Sequence, residues 1–520
     1  FHQTILYTPN WRTTLEPSSP QGLSIRRLFY NLYSPVLSCI IIFDSILLYI
    51  GNEGVQGMTI QNELDIDIRN LLGNPWSVKE GDLKDMEGRI HQAGRSLTEL
   101  RKSGKGPDGS LVLFPRLPYI LEEERLMSKE EREHLSHVHE LSKASDILIS
   151  IGIGGSYLGN QMLFDVFCGP YWNMMSREER QGFPQVFFAG QNMDPHGLLQ
   201  LAEEVERQSR RLGRKCRVLL LVISKSGTTI EPSSALKALR TILAPFADLS
   251  LLAITDKEKG TLRHYANEHH LPCFTVPDGI GGRFSELSQV GLVFARLIGV
   301  DIEALLSGAR MVEEACQSEK AEENPALLLA SLKYAASRKY GTAAEIIMPY
   351  GDTLRSFGWW YAQLLGESLG KKYDIRGREI HYGRIPVAAV GTTDMHSLTQ
   401  EHQQGAKNKL VQFISVKESR STLSVPCEEG GEKGMVPMDY MLESARKANE
   451  KALACEGRMS CSIRIRKITP FHMGALMYFF FLTIAYEGAL AGINAYDQPG
   501  VEDYKKILHQ DIREYIVRNK

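Results

Sequence analysis

Residues 217–223 (RVLLLVI) form an apolar run too short for a buried helix and without the alternation of a half-wet strand. A strand apolar on both faces needs cover on both, which is the situation of a parallel sheet between layers of helices. The run stops at the turn cluster Ser224-Lys-Ser-Gly-Thr-Thr229, and helical periodicity resumes over 233–243. The same rhythm recurs along the chain. Strand-type runs fall at 146–151, 186–189, 251–255 and 273–276, then, after a helical stretch over 287–339, at 344–348, 386–390, 410–416 and 462–468. Helical segments lie at 157–167, 352–369, 395–404, 437–452 and after Phe471, and a last helix begins near Pro499. Residues 60–145 read as mostly charged and helical, and the Ser/Gly/Glu-rich stretch 418–435 reads as a loop. Alternation of this kind predicts an α/β fold of two blocks, each a mainly parallel sheet covered by helices.

Composition excludes several other classes. The 520 residues exceed what one core organises. A net charge of −2 offers no basic excess to meet a nucleic-acid backbone. With 43% hydrophobic and 23% charged residues, the chain has ample material for cores and no disorder signature. Its eight cysteines are scattered without a C-x-x-C pair, against both a disulfide framework and a zinc ribbon, so reduced thiols filling core gaps are expected. Two apolar stretches resemble membrane spans. The stretch 36–50 is short for a ~20-residue crossing and carries Asp44 in its middle. The stretch 473–493 is long enough but contains Glu487 and glycines at 474, 488 and 492, and reads as the central helix of an α/β domain. Residues 1–57 read unlike the rest, as an extension or as sequence upstream of a start at Met58, with a membrane-associating or targeting arm as the competing reading.

Three strand-to-helix loops carry anion chemistry. Gly152-Ile-Gly-Gly155-Ser156-Tyr-Leu-Gly159 fails the G-x-G-x-x-G test, because Tyr157 sits where the third glycine belongs. It remains either a turn that lets a ligand approach backbone N–H groups or a structural turn. The 224–229 loop packs four hydroxyls, the Lys225 ammonium and one glycine between a buried strand and a helix. That suits a monophosphate ester at a helix N-terminus, against the plainer reading of a capping turn. It lacks the G-x-x-x-x-G-K-[ST] pattern, which disfavours a nucleoside triphosphate. Gly281-Gly-Arg283-Phe-Ser285 sets a guanidinium on a turn, where it can stabilise developing oxyanion charge or simply sit at the surface.

Acid–base candidates lie further on. Gln363 and Glu367 are four apart and share a helix face. Glu367 is in the last turn before Gly370, a plausible left-handed C′ residue, where the negative end of the dipole favours a raised pKa. His396 follows a strand and opens a helix, which biases it to the neutral form. In the C-terminal helix Val501, Tyr504, Leu508, Ile512 and Tyr515 make an apolar stripe on which Lys505 falls, while Lys506 falls on the charged face. Lys505 is therefore expected to point inward, either snorkelling or serving a site.

These stretches together resemble the glucose-6-phosphate isomerase (phosphoglucose isomerase) family of the bacterial type. They are ISIGIGGSYLG, ISKSGTT, GGRFS, WWYAQLLGESLGKK, AAVGTTDMHSL and MGALMYFFFLTIAYEGALAGINAYDQPGVEDYKK, in the family's order, and the likeness begins near Met58. The resemblance implies two sugar-isomerase (SIS) domains, three-layer α/β/α sandwiches, with a C-terminal helical arm. The expected division is a helical segment 58–140, a phosphate-binding SIS domain 141–300, a helical connection 301–340, a second SIS domain 341–492 and a helix 493–520. It implies Glu367 as the base moving a proton between C2 and C1, His396 and Lys505 for ring opening, and Arg283 for the cis-enediolate. Gly155, Ser156, Ser224, Lys225, Ser226 and Thr229 match phosphate contacts, and Gln363 and Gln498 line the sugar. Pro232 stands where animal members carry a hydroxyl residue, which puts one phosphate contact in doubt. The family's His comes from a neighbouring subunit, which implies a homodimer or higher homo-oligomer. No cofactor, no metal, no nucleic-acid or membrane partner and a cytoplasmic place are expected. A sugar-phosphate-binding regulator without turnover would have lost Glu367, His396 or Lys505, and all three are present. The broken glycine fingerprint disfavours a nicotinamide-dependent dehydrogenase.

Overall fold

Two sheets carry the chain in the computed structural model, which describes residues 25–30, 39–43, 46–51 and 54–519, with side chains from 57 onward. The first sheet has five parallel strands in the order Cys273–Thr275, Ala247–Thr255, Cys216–Ile223, Ile147–Ile151, Gln185–Ala189. The two central strands, Ile147–Ile151 and Cys216–Ile223, are buried on both faces except at Arg217, as an unalternating apolar run demands. The second sheet has a parallel centre in the order Met459–Ile465, Lys409–Val416, Ala344–Pro349, Ile385–Ala388. Leu64–Asp67 joins it antiparallel beside Met459–Ile465. Gly54–Ile60, Ile46–Gly51, Cys39–Phe43 and Ile25–Tyr30 continue it outward as an antiparallel meander. Of the segment 1–57, residues 1–24, 31–38, 44–45 and 52–53 lie outside the described residues.

The strand Leu64–Asp67 interrupts a region expected to be helical, and four residues are too few to show a period. The expected loop 418–435 contains a hairpin, Ser424–Glu429 with Glu432–Pro437, turning at Gly430 and Gly431. Both of its faces are largely exposed, so no apolar alternation marked it in the sequence. The helix expected over 395–404 is split into a short turn, Thr393–His396, and Thr399–Gln404.

The helix Pro470–Ala491 is apolar all round because it is the centre of the molecule. It is long and apolar enough to cross a membrane, yet 94% of its most apolar window is buried inside the protein. Its glycines have a packing reason. A Cβ on Gly474 would lie 1.8 Å from the Leu305 carbonyl oxygen, and one on Gly308 would lie 1.7 Å from that of Phe471. The backbones of Pro470–Ala491 and Ile302–Ala315 therefore cross in direct contact.

Glu487, the one carboxylate in this helix, is fully buried and held in a neutral cluster. Arg384 donates to Glu487 Oε2 at 2.8 Å and to Glu345 Oε2 at 2.7 Å. Lys333 donates to Glu345 Oε1 at 2.7 Å and to the Tyr361 hydroxyl at 2.9 Å, and Tyr382 donates to Glu487 Oε1 at 2.6 Å. Burial raises the Glu345 carboxyl, but Lys333 and Arg384 outweigh it and hold it at about 2. The cluster ties Pro325–Tyr340, Pro470–Ala491 and the strand Ala344–Pro349 to the helix Arg355–Leu369, which carries Gln363 and Glu367.

In an open helix Gly→Ala stabilises by about 0.5–1 kcal/mol. At position 474 the sign is expected to reverse: Gly474→Ala forces the two helices apart and costs ~1–3 kcal/mol or more, read from the denaturant midpoint. A Gly474→Ala chain as stable as the parent would contradict this backbone contact.

Candidate active site

In the first sheet the chain leaves Ile147–Ile151 toward Gln185–Ala189 and then returns to Cys216–Ile223 on the other side. Loops diverge at such a reversal, and their carboxyl-end turns frame a crevice. A cavity of about 700 Å³ lies there, bounded by the 152–156 and 224–229 loops, the end of Arg355–Leu369 and the start of the C-terminal helix.

The 224–229 loop is built to present donors. Gly227 takes a left-handed conformation (φ +68°), and its N–H donates to Ser224 Oγ at 3.1 Å. Thr228 donates from its N–H and its hydroxyl to Ser226 Oγ at 3.2 and 3.0 Å. Thr229 is the N-cap residue of the helix Ile230–Leu243, yet its side chain makes no capping bond. The capping-turn reading therefore fails at Thr229, whose hydroxyl lines the cavity together with the first turn of a 14-residue helix. Pro232 lies in that first turn, buried and also at the cavity wall. Gly155 brings the second loop close: a Cβ there would sit 2.0 Å from the Gly282 carbonyl oxygen, so the two glycine turns are stacked backbone on backbone.

Arg283 is the hinge pin of the site. Its side chain is 1% exposed, set over Phe284 in an aromatic group with Phe114, Phe481 and Tyr496. Nε donates to Ser368 Oγ at 2.7 Å, Nη1 to Gln498 Oε1 at 3.1 Å, and Nη2 to the carbonyls of Asp497 (2.9 Å) and Ala495. Burial pulls the guanidinium below its ordinary pKa, while Glu367 and Asp497 oppose that. Nη1 also lies 3.9 Å from Glu367 Oε2, and Gln363 donates to Glu367 Oε1 at 3.0 Å. One carboxylate oxygen is thus oriented by a hydrogen bond while the other faces a guanidinium, and the Glu367 side chain remains 30% exposed toward the cavity. Gly370 closes the helix without the expected left-handed turn, at φ −70°. Its role is close approach instead, since a Cβ would meet the Gly366 carbonyl oxygen at 2.7 Å.

Ten of the sequence candidates line this one cavity: Gly155, Ser156, Ser224, Lys225, Ser226, Thr229, Gln363, Glu367, Gln498 and Lys505. Arg283 stands just behind the wall, next to the lining residue Gly282. Lys505 reaches the cavity although its helix buries no residue; its Nζ donates to Glu502 at 2.9 Å and its side chain is 40% exposed, against 78% for Lys506. The apolar stripe expected to be buried is only partly covered: Val501 and Leu508 are half-buried, while Tyr504 and Tyr515 are 55% and 70% exposed. His396 is exposed on the turn Thr393–His396 and does not line the cavity.

Sequence reasoning missed three supports: Ser368, Asp497 and Lys371. Lys371 donates to the carbonyls of Glu367 (2.7 Å) and Asp497 (2.9 Å), pinning the helix end to the 495–498 segment. Burial, with Arg283 nearby, lowers its ammonium to about 8. Its place in the run GESLGKK was the only signal.

A family model described as phosphoglucose isomerase matches residues 130–429 and 443–519, which include every candidate residue named above. The chain belongs to the phosphoglucose isomerase family. The glucose-6-phosphate isomerase of Carboxydothermus hydrogenoformans is 35% identical over 458 residues, covering 86% of this chain and 94% of that one. That of Symbiobacterium thermophilum is 34% identical, over 74% of this chain and 85% of its own. Among solved structures, a hypothetical protein from Thermus thermophilus superposes with a TM-score of 0.69 at 26% identity, over 86% of this chain and 99% of that one. A glucose-6-phosphate isomerase from Chlamydia trachomatis shares the fold, with a TM-score of 0.71 at 23% identity over 87% and 89%.

One group beside the family's GGRFS turn is out of keeping with a buried core. Glu286 is 2% exposed, and neither carboxyl oxygen has a partner among the described residues. It fills space left by two glycines: a Cβ on Gly159 would lie 1.7 Å from Oε2, and one on Gly291 would lie 2.6 Å from Oε1. Burial raises its pKa to about 8. The folded state holds this proton more tightly than the unfolded state, so the stability it contributes is complete below the unfolded value of about 4.3 and is lost as pH rises toward about 8. The melting temperature is expected to fall between about pH 5 and about pH 8, and Glu286→Gln is expected to flatten that slope. Equal slopes in parent and variant would contradict a neutral Glu286.

Proposed function

We propose that this chain interconverts glucose 6-phosphate and fructose 6-phosphate through ring opening and a cis-enediolate, in the cytoplasm and as a homodimer or larger assembly. The observation that carries the activity is the convergence of the Glu367 carboxylate with the phosphate-type loop 224–229 on one cavity of sugar-phosphate size. The phosphate is held by the hydroxyls and N–H groups of 224–229 and by the N-terminus of Ile230–Leu243. Remote binding energy of this kind positions the reacting carbons against Glu367.

Glu367 takes the C2 proton and returns it to C1, while a hydroxyl proton moves from O2 to O1, so nothing is gained or lost overall. Gln363 and Arg283 orient the carboxylate, and Arg283 holds the 495–498 segment so that Gln498 faces the sugar. The Arg283 charge, 3.9 Å from Glu367 Oε2, favours negative charge developing on the enediolate oxygens. Lys505 serves ring opening with His396. The exposed place of His396 and the exposed Tyr504, Ile512 and Tyr515 on the apolar stripe of the C-terminal helix support a second copy as the source of the imidazole.

Glu367→Gln is expected to leave folding and sugar-phosphate binding intact and to lower kcat by at least ~10²-fold in an assay coupled to fructose 6-phosphate conversion. Near-parental turnover would remove Glu367 from the mechanism. Chains carrying Glu367→Gln and chains carrying His396→Gln, refolded together, are expected to regain about a quarter of parental activity, because half of the dimers would hold one intact site of two. No regain above either variant alone would place both groups on one chain.

A further inference from the structure

The second sheet repeats the topological device that frames the first cleft. Its chain leaves Ala344–Pro349 toward Ile385–Ala388 and returns to Lys409–Val416 on the other side, so the loops after Pro349 and after Val416 diverge. A crevice at the carboxyl ends of these strands is where open α/β sheets take ligands. A cavity of about 630 Å³ lies there, close in size to the first, and it shares no lining residue with it. The loop after Lys409–Val416, Lys417-Glu-Ser-Arg-Ser-Thr422, is rich in hydroxyls and cations like the 224–229 loop.

The wall of this cavity contains polar groups that nothing in the described residues satisfies. Ser415 is 3% exposed, and its Oγ has no hydrogen-bond partner among the described residues. Arg464 Nε and Asp439 Oδ1, also on the wall, are buried and unpartnered there. Each such group carries a desolvation cost until water or a guest supplies its partner. Arg420 adds a charge. Its Nε donates to the Ile468 carbonyl at 3.1 Å and its Nη1 to that of Val166 at 2.6 Å, and its guanidinium lies 5.6 Å over the Phe167 ring. No carboxylate pairs with it among the described residues, so the guanidinium is fixed by neutral groups while its charge stays uncompensated. The remaining cations on the wall are paired: Lys417 and Arg464 both approach Asp65, at 2.6 and 3.6 Å, and Lys447 approaches Glu443 at 3.8 Å.

We propose that this cavity is a second binding site, separate from the isomerisation cleft, for a small polyhydroxylated phosphate ester. The phosphate sits on Arg420 and the 419–421 loop, where Nη2 and the second Nη1 hydrogen, not spent on the Ile468 and Val166 carbonyls, meet its oxygens. The hydroxyl-bearing end sits against Ser415, Arg464 Nε and Asp439, which offer a donor–acceptor hydroxyl, a donor and an acceptor. The proposal does not rest on the reading of the first cleft.

Calorimetric titration of the full chain carrying Glu367→Gln, with inorganic phosphate and with fructose 6-phosphate as probes, tests it. Two classes of site per chain are expected with at least one probe. Arg420→Ala is expected to weaken one class by about tenfold or more and to leave the other unchanged, whereas Ser226→Ala affects only the other. Because Arg420 also anchors two carbonyls, Arg420→Lys and Ser415→Ala provide milder variants; each is expected to weaken the same class several-fold. One class per chain with both probes, or two classes indifferent to all three substitutions, would overturn the proposal.

Discussion

A single buried guanidinium assembles the candidate cleft. Arg283 stands on a short turn of the first block, Ser368 on the helix of the second, and Ala495, Asp497 and Gln498 on the segment that leads to the C-terminal helix. These parts are far apart in the chain except within the last group, and nothing local brings them together. A charge buried to this degree is tolerable only when its donors are occupied. Four hydrogen bonds and the nearby Glu367 carboxylate supply that, and the same bonds fix where Glu367 and Gln498 face. Lys371 repeats the device further along the chain, with carbonyl acceptors from Glu367 and Asp497.

A second, fully buried set of charges keeps the Glu367 helix in place from behind. Lys333, Glu345, Arg384 and Glu487 are net neutral and joined through Tyr361 and Tyr382. Replacing such a cluster by apolar groups need not cost stability, but removing one member leaves an unpaired buried charge at about 3–5 kcal/mol. Its use here is positional: Tyr361 is on the helix of Gln363 and Glu367, and each bond to it limits how that helix can rotate.

What the sequence made legible followed from burial. Strands covered on both faces have continuous apolar runs, and those of 217–223, 146–151 and 410–416 appear within a residue or two of where the runs placed them. Elements without that signature were not legible. The exposed hairpin Ser424–Glu429 with Glu432–Pro437 has no apolar face, and Leu64–Asp67 is too short to show a period. For the candidate site, motif chemistry pointed to the 224–229 loop and the Gln363–Glu367 face, which line one cavity, because both are local. It did not find that the GGRFS turn is interior, since the burial of Arg283 is created by Phe114, Phe481 and Tyr496 from elsewhere in the chain. Periodicity separated Lys505 from Lys506, but it took the stripe on the C-terminal helix for buried surface, whereas within one chain Val501 and Leu508 are half-buried and Tyr504, Ile512 and Tyr515 are exposed.

The most direct test is a crystal structure of the full chain carrying Glu367→Gln with fructose 6-phosphate bound. The phosphate is expected within hydrogen-bond reach of Ser224, Ser226 and Thr229, with carbons 1 and 2 against the side chain at 367. A sugar phosphate seated in that cleft with its phosphate away from this loop, or with residue 367 turned from both carbons, would contradict this expectation.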